Sequence, residues 1–145
     1  MQIETSRFGT LEIQEEQIIT VPSGLIGFPE DKRYVLLEHK QGSPFLWFQS
    51  VDHGPLAFVL IDPLLVKPDY SVHLNPEDRR MLQLPPDGAG LQILVIVNIS
   101  RGEPVEITAN LLGPILLNVP KRLARQIILY QGNHPTRYPI PTIQK

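Results

Sequence analysis

The chain has 145 residues, of which 42% are hydrophobic and 19% charged, and no cysteine is present. These values are ordinary for one compact globular domain, which at this length buries about two thirds of its unfolded surface. The absence of cysteine excludes disulfides, thiolate metal sites and cysteine nucleophiles, and the formal net charge of −2 excludes a strongly basic protein.

The first half of the chain consists of short apolar runs that are typical of β-strands. A hairpin is predicted where residues 2–8 and 11–13 flank Gly9 and Thr10. Further strands are predicted where β-branched or aromatic runs are separated by Gly, Ser, Pro and Asp, at residues 17–21, 34–39, 45–51 and 56–62.

One segment has the signals of a helix. Asn75 is a favourable N-cap, Pro76 suits the first helical position, and the acidic pair at residues 77–78 matches the positive end of a helix. The pattern predicts a helix from Pro76 to about Leu82 that ends before the next two prolines.

The second half of the chain continues as strands. Residues 92–100 are apolar on both faces, which predicts a central, buried strand, and a turn at 101–104 leads into further strands at 105–112, 115–119 and 125–131. Residues 123–129 contain good helix formers, but the β-branched pair Ile127-Ile128 favours a strand.

The pattern as a whole predicts a mainly β protein. We expect a single-domain antiparallel β-barrel or sandwich with one short helix, over residues 1–137. Residues 138–145 contain two prolines and no core pattern, and we expect a mobile C-terminal tail there.

The charge is distributed unevenly along the chain. Residues 1–117 carry 15 acidic and 8 basic side chains, a net charge of −7, and residues 118–145 carry five basic side chains and no acidic one. An acidic body lacks the basic surface that nucleic-acid binding requires. It attracts a basic protein partner, although acidic residues also coat many soluble surfaces.

Residue patterns for catalysis are weak. The four histidines have no metal-ligand spacing, and Ser50, Asp52 and His53 are too close along one strand to form a triad. We therefore expect no metal site, no cofactor and no enzymatic activity. The first residues lack the charge and hydrophobicity of a secretory signal, so a cytoplasmic location is expected.

Aromatic residues and glycines are the most distinctive features. On a strand, Phe45 and Trp47 share one face and Phe48 takes the other, so an apolar face remains for the core or for a partner. Gly24, Gly27 and Gly113 stand beside bulky residues at strand ends, where a positive φ or a close backbone approach is expected. Gly27→Val should then destabilise the fold.

Four segments together resemble the FliW family of bacterial flagellar assembly factors. Residues 22–28 (PSGLIGF) are similar to its Gly-Leu-x-Gly-Phe turn, and residues 44–50 (PFLWFQS) to its Pro-Phe-x-x-Leu-Gln-Ser strand, with Phe48 in place of the more usual leucine. Residues 56–63 (LAFVLIDP), followed by Tyr70, are similar to the next block. Residues 108–115 (TANLLGPI), followed by Gln126 and Leu129, are similar to the last.

The resemblance implies a small β-barrel-like protein without catalysis that binds two proteins in turn. These are flagellin, held before export as by a chaperone, and CsrA, a small basic RNA-binding dimer that represses flagellin translation. When flagellin is exported, the free protein captures CsrA and translation resumes.

Four residues beside the distinctive turns are candidate partner contacts: Trp47, Asp69, Tyr70 and Asn110. A structural role is equally open, since Asn110 could occupy a turn and Tyr70 could cap the core. Two other functions also stay open. The basic residues Lys121, Arg122 and Arg125 near Tyr130 would fit a single-stranded nucleic-acid binder, and a closed apolar cavity would fit a small ligand.

Overall fold

The computed structural model describes residues 1–102 and 104–140. Its strands are β1 (Gln2–Thr5), β2 (Gly9–Glu12), β3 (Ile19–Thr20), β4 (Arg33–Glu38), β5 (Phe45–Ser50), β6 (Ala57–Ile61), β7 (Leu91–Ser100), β8 (Glu106–Ala109), β9 (Ile115–Asn118), β10 (Leu123–Gln126) and β11 (Tyr138–Pro139). The helix α1 (Pro76–Met81) and the two 3-10 turns Glu15–Gln17 and Pro63–Leu65 complete the described elements. The predicted mainly β fold with one short helix is confirmed.

The nine strands from β3 to β11 form one large sheet that closes on itself. The strand order is β11-β8-β7-β6-β5-β4-β3-β10-β9, and β9 pairs in addition with β7. Strand β7 permits this closure because its residues 91–94 pair with β9 while its residues 97–100 pair with β8. Seven strands thus form a closed ring, and β8 and β11 extend from the second half of β7.

One pairing corrects the expectation of an antiparallel sheet. Strands β3 and β10 run parallel and meet at Thr20 and Leu123, whereas the other pairs are antiparallel. A parallel neighbour requires a long connection, and about a hundred residues separate these two strands in the chain. The sheet is therefore mixed.

The interior of the ring is the main hydrophobic core. Alternate residues of the ring strands point inwards, and the fully buried Tyr34 and Phe48 stack there with ring centroids 4.5 Å apart. The other buried residues of this core lie on the ring strands or in the turn that follows β3: Ile19, Val21, Leu25, Leu60, Leu94, Ile115, Leu117 and Ala124. Because side chains alternate along β5 in the same way, Phe48 and Trp47 lie on opposite faces of the strand, as predicted.

The outer face of the ring is covered in part by the remaining elements. The β1–β2 hairpin places Ile3 and Ile13 against Val35 and Val51. Because these outward side chains are also buried, several ring strands are apolar on both faces, as the sequence predicts for β7. That prediction fails for residues 98–100, which are exposed because β7 extends beyond the covered part of the ring.

The helix α1 begins as its sequence predicts. Asn75 Oδ1 accepts a hydrogen bond from the backbone N–H of Asp78 at 2.7 Å, and Pro76 occupies the first turn. Leu82 packs with Leu116 of β9. On its other side the helix is joined to β10, because Arg125 Nε donates to Asp78 Oδ1 at 3.2 Å.

The predicted turn of the first hairpin is displaced. Gly9 and Thr10 belong to β2, and the turn is formed by residues 6–8. The hydroxyl of Thr5 accepts a hydrogen bond from the N–H of Phe8 at 2.8 Å, and Gly9 has a φ of +66°. A three-residue turn followed by a left-handed glycine is a frequent hairpin geometry.

The domain boundary at residue 137 also requires correction. Tyr138 and Pro139 form β11 on the edge of β8, and Ile140 N–H donates to the carbonyl of Ile107 at 3.0 Å. Tyr138 and Ile140 pack against a second hydrophobic cluster around Tyr70. Residues 138–140 are therefore part of the sheet, and the rest of the expected tail, residues 141–145, lies outside the described residues.

Candidate partner-binding groove

A groove of about 700 Å³ lies between the turn of the first hairpin and the second half of β7. Trp47 of β5 and Asn110, which follows β8, both line it, so the structure brings together two of the four candidate contacts. Further lining residues include Arg7, Ile26, Phe58, Ile99, Arg101 and Gln126. We call this the Trp47 groove.

Trp47 is half-buried on the outward face of β5. The ring of Phe8 meets it edge-on with centroids 5.7 Å apart, and the guanidinium carbon of Arg7 lies 4.6 Å from its ring centroid. Cation–π attraction holds an arginine in this position. The turn of the first hairpin and His39, whose ring centroid is 6.3 Å from that of Trp47, therefore both border the indole, which also lines the groove.

Asn110 is a turn residue as well as a groove residue. Its Oδ1 accepts hydrogen bonds from the backbone N–H groups of Leu112 and Gly113, both at 3.1 Å. Among the described residues no partner binds its Nδ2, so this group can donate to a ligand. The structural role that the sequence left open for Asn110 is thus present.

Asp69 and Tyr70 do not line the Trp47 groove. Tyr70 is buried in the second hydrophobic cluster, where its hydroxyl donates to the carbonyl of Leu111 at 2.7 Å and burial raises the pKa of that hydroxyl. Asp69 is exposed and accepts a hydrogen bond from Lys67 Nζ at 2.7 Å, which lowers the pKa of its carboxyl. Only Asp69 of this pair is presented to solvent.

Gln126 ties the walls of the Trp47 groove together. Its Oε1 accepts a hydrogen bond from the backbone N–H of Ile26 at 2.8 Å, and its Nε2 donates to the carbonyl of Gly113 at 2.9 Å. One amide side chain thus connects the turn that follows β3 to the loop that follows β8. The shape of the groove depends on this connection.

The sequence did not identify the two arginines of the groove. Arg7 was placed within a predicted strand, whereas it lies in the actual turn of the hairpin. Arg101 was placed in a turn without a role. Arg7 and Arg101 are about ninety positions apart, and no short-range pattern indicates that they line the same groove. A correct assignment of the three-residue turn would have indicated that Arg7 lies on the surface.

A second groove, of about 850 Å³, has a polar lining that includes His73, Glu77, Arg125, Tyr130 and His134. Tyr130 is 92% exposed, but Arg125 is engaged with Asp78. The basic group proposed as a nucleic-acid site is therefore partly used inside the protein.

Residues 1–102 and 104–140 lack two features that would indicate other functions. No three His, Asp or Glu side chains come together as metal ligands would. None of the helices there is long and apolar enough to span a membrane.

Comparison with known proteins shows the family. The profile of the family described as FliW protein matches residues 2–140. The chain belongs to the FliW family. A flagellar assembly factor FliW from Syntrophus aciditrophicus is 46% identical over 142 residues, which cover 97% of this chain and 87% of the relative. One from Geobacter sulfurreducens is 41% identical over 139 residues, covering 96% and 86%.

A solved structure agrees with this assignment. A crystal structure of the flagellar assembly factor FliW superposes with a TM-score of 0.86 and 36% sequence identity, and the match covers 96% of each chain. The resemblance found in the sequence is confirmed at the level of both family and fold.

The four segments that carry the resemblance to FliW converge on the Trp47 groove. Ile26 comes from the first segment, Trp47 from the second, Phe58 from the third and Asn110 from the fourth. Gln126, which follows the fourth segment, joins two of the walls. The family-like parts of the sequence, which are separate along the chain, thus meet at one place on the surface.

Proposed function

We propose that this protein regulates flagellum assembly by binding flagellin and, when free of flagellin, by binding the translational repressor CsrA. Family membership supports a role in flagellar assembly. The convergence of all four family-like segments on the Trp47 groove is the observation that most supports a binding role for that surface.

The chemistry of the groove suits the recognition of a protein. Tryptophan and arginine are the residues that most often dominate protein interfaces, and Trp47 and Arg7 lie in contact at its wall. Ile26 and Ile99 are each 56% exposed and offer apolar surface beside them. Recognition of this kind requires no bond-making step, so binding alone, in the cytoplasm, is the proposed output.

The proposed regulation needs only that the two complexes exclude each other. Flagellin bound to the protein would leave CsrA free to repress translation, and export of flagellin would release the protein to bind CsrA. The acidic body of the chain favours rapid encounter with the basic CsrA dimer, and charge reversal there should lower the association rate and its salt dependence.

A competition experiment tests this proposal. The purified full chain is titrated by calorimetry with flagellin and with CsrA from the same organism, and then with each in the presence of a saturating amount of the other. We expect 1:1 binding of flagellin and a loss of CsrA binding when flagellin is present. Failure of the chain to bind either protein at micromolar concentration would overturn the proposal.

A further inference from the structure

We propose that the Trp47 groove receives a segment of flagellin in which carboxylate side chains stand among apolar ones, and that the basic partner docks on acidic surface outside the groove. This inference rests on the proposed function and divides the two proposed partners between different parts of the surface. Mutual exclusion of the two complexes then arises from overlap of the bound proteins outside the groove rather than from a shared contact site.

The charge of the groove is opposite to that of the body of the chain. Among the described residues that line it, Arg7 and Arg101 are the charged ones, and no acidic residue is present. Among the described residues, Glu106 lines an adjoining groove together with Arg137. A basic partner would meet like charges in the Trp47 groove, whereas an acidic segment would meet complementary ones.

Within residues 1–102 and 104–140, neither arginine of the groove has an acidic partner. Neither Arg7 nor Arg101 takes part in an ion pair among the described residues, in contrast to Arg33 and Arg125, which pair with Asp52 and Asp78. The guanidinium carbon of Arg7 lies 4.6 Å from the ring centroid of Trp47, and among the described residues no hydrogen bond engages its N–H groups. The N–H donors at its edge remain to form paired hydrogen bonds with a carboxylate.

The apolar surroundings define the rest of the segment. Ile26 and Ile99 are each 56% exposed, and Phe58 also lines the groove. Apolar side chains that flank a carboxylate would cover these residues and remove water from the arginines. Charge-assisted hydrogen bonds are stronger in such a partly desolvated site.

The composition of the groove separates the two proposed partners. CsrA is expected to be basic, so the positive charge of the groove disfavours CsrA, and we assign the groove to the other proposed partner, flagellin. The acidic side chains of the described residues all lie outside the lining of the groove, where they remain available to a basic protein.

The test uses an arginine-to-glutamine double variant of the full chain. Arg7→Gln with Arg101→Gln removes both charges and keeps polar side chains of similar length. The matched control is Arg79→Gln with Arg80→Gln, which removes two charges from exposed residues of α1 away from the groove. Flagellin and CsrA binding are measured by calorimetry at low and at physiological ionic strength, and thermal unfolding checks that each variant is folded.

We expect the groove variant to bind flagellin about tenfold or more weakly at low salt, with a reduced salt dependence. CsrA binding should be unchanged in this variant, and the control should bind both partners as the wild type does. Arg101→Gln alone, on an exposed hairpin tip, should give a smaller loss in the same direction if the double variant is unstable.

Two results overturn the inference, and they can be distinguished from failure of the proposed function. Wild-type flagellin affinity and salt dependence in the folded groove variant would overturn it, as would a loss of CsrA binding instead. Both results presuppose a wild-type chain that binds its partners. If the wild type binds neither protein, the proposed function itself is wrong and the inference falls with it.

Discussion

Gly24 is the glycine whose replacement the structure tolerates least. Its φ is +68°, and a Cβ at this position would lie 2.6 Å from the Cα of Pro29. Gly24→Ala should therefore lower the free energy of unfolding by about 2 kcal/mol or more, since steric overlap adds to backbone strain. Urea unfolding followed by circular dichroism measures the change.

Gly27→Ala is the matched comparison for Gly24→Ala. Gly27 has a φ of +90°, but no described atom lies within 4 Å of the position of a Cβ. Backbone strain alone should then cost about 1 kcal/mol. Equal stability of the two variants would contradict the role of the close approach at Gly24.

Two buried tyrosines should respond differently to loss of their hydroxyl. Tyr70 Oη donates to the carbonyl of Leu111, whereas Tyr34 Oη has no hydrogen-bond partner among the described residues. Tyr70→Phe should cost about 1 kcal/mol, while Tyr34→Phe should be neutral or stabilise by up to about 1 kcal/mol. Chemical denaturation of both variants measures these changes in the free energy of unfolding. A clear loss of stability in Tyr34→Phe would contradict the prediction.

The same two hydroxyls predict a decline of stability in alkali. Burial raises the pKa of Tyr34 and of Tyr70 in the folded protein, with a smaller contribution from Asp31 at Tyr34. An unfolded tyrosine ionises near its ordinary pKa of about 10. Stability should thus be complete below about pH 10 and be lost as the pH rises above that value, because only the unfolded chain ionises readily.

The Tyr34→Phe, Tyr70→Phe double variant provides the measurement. Its free energy of unfolding should fall less steeply than that of the wild type between about pH 9 and about pH 11. Identical slopes would show that burial of these hydroxyls does not control alkaline stability.

At the scale of the elements, the Asp78–Arg125 pair joins α1 to β10. The Asp78 side chain is 9% exposed, so removal of its partner leaves a carboxylate that is largely withdrawn from water. Arg125→Gln should cost about 2 kcal/mol. Arg33→Gln is the control, because its partner Asp52 is 50% exposed and the solvent-screened pair should contribute less than about 1 kcal/mol.

Thermal unfolding compares these two variants directly. If Arg33→Gln lowers the melting temperature as much as Arg125→Gln does, burial of the Asp78–Arg125 pair between helix and strand does not determine its contribution to stability.

Local signals predicted the elements well and their pairing only in part. Asn75 and Pro76 predicted the start of α1. The strand predicted at 125–131 lies instead at residues 123–126, so a strand is present in this segment but Ile127 and Ile128 are outside it. The parallel contact of β3 with β10 has no local signature, because it joins residues about a hundred positions apart. Strand β11 was missed because its pairing to β8 is supported by packing on the second hydrophobic cluster rather than by its own proline-containing sequence.

At the scale of the whole molecule, the candidate site is a product of the closed sheet. Trp47 and Asn110 were predicted from their neighbourhood in the chain, and they line one groove because only β6 and β7 separate β5 from β8 in the sheet. Tyr70 could not be separated from them by sequence, since an aromatic residue in a loop is equally suited to a core or to a surface. The arginines became visible only in three dimensions.

Trp47→Ala tests the groove as a binding surface. Without the indole, Arg7 and Phe8 lose the ring against which they pack, and flagellin binding should be weakened by about tenfold or more. Tyr130→Ala, an exposed aromatic in the polar groove, should leave that affinity unchanged. Calorimetric titration measures both, and equal effects of the two substitutions would contradict a specific role for the Trp47 groove.

The closure of β9 onto β7 has a consequence for self-association. Within the described residues, the terminal strand of the large sheet is β11, which is two residues long and includes Pro139. A proline offers no N–H to an incoming strand, so this border is a poor template for adding a second copy. Extension of the sheet through β11 by a second copy of the chain is therefore disfavoured.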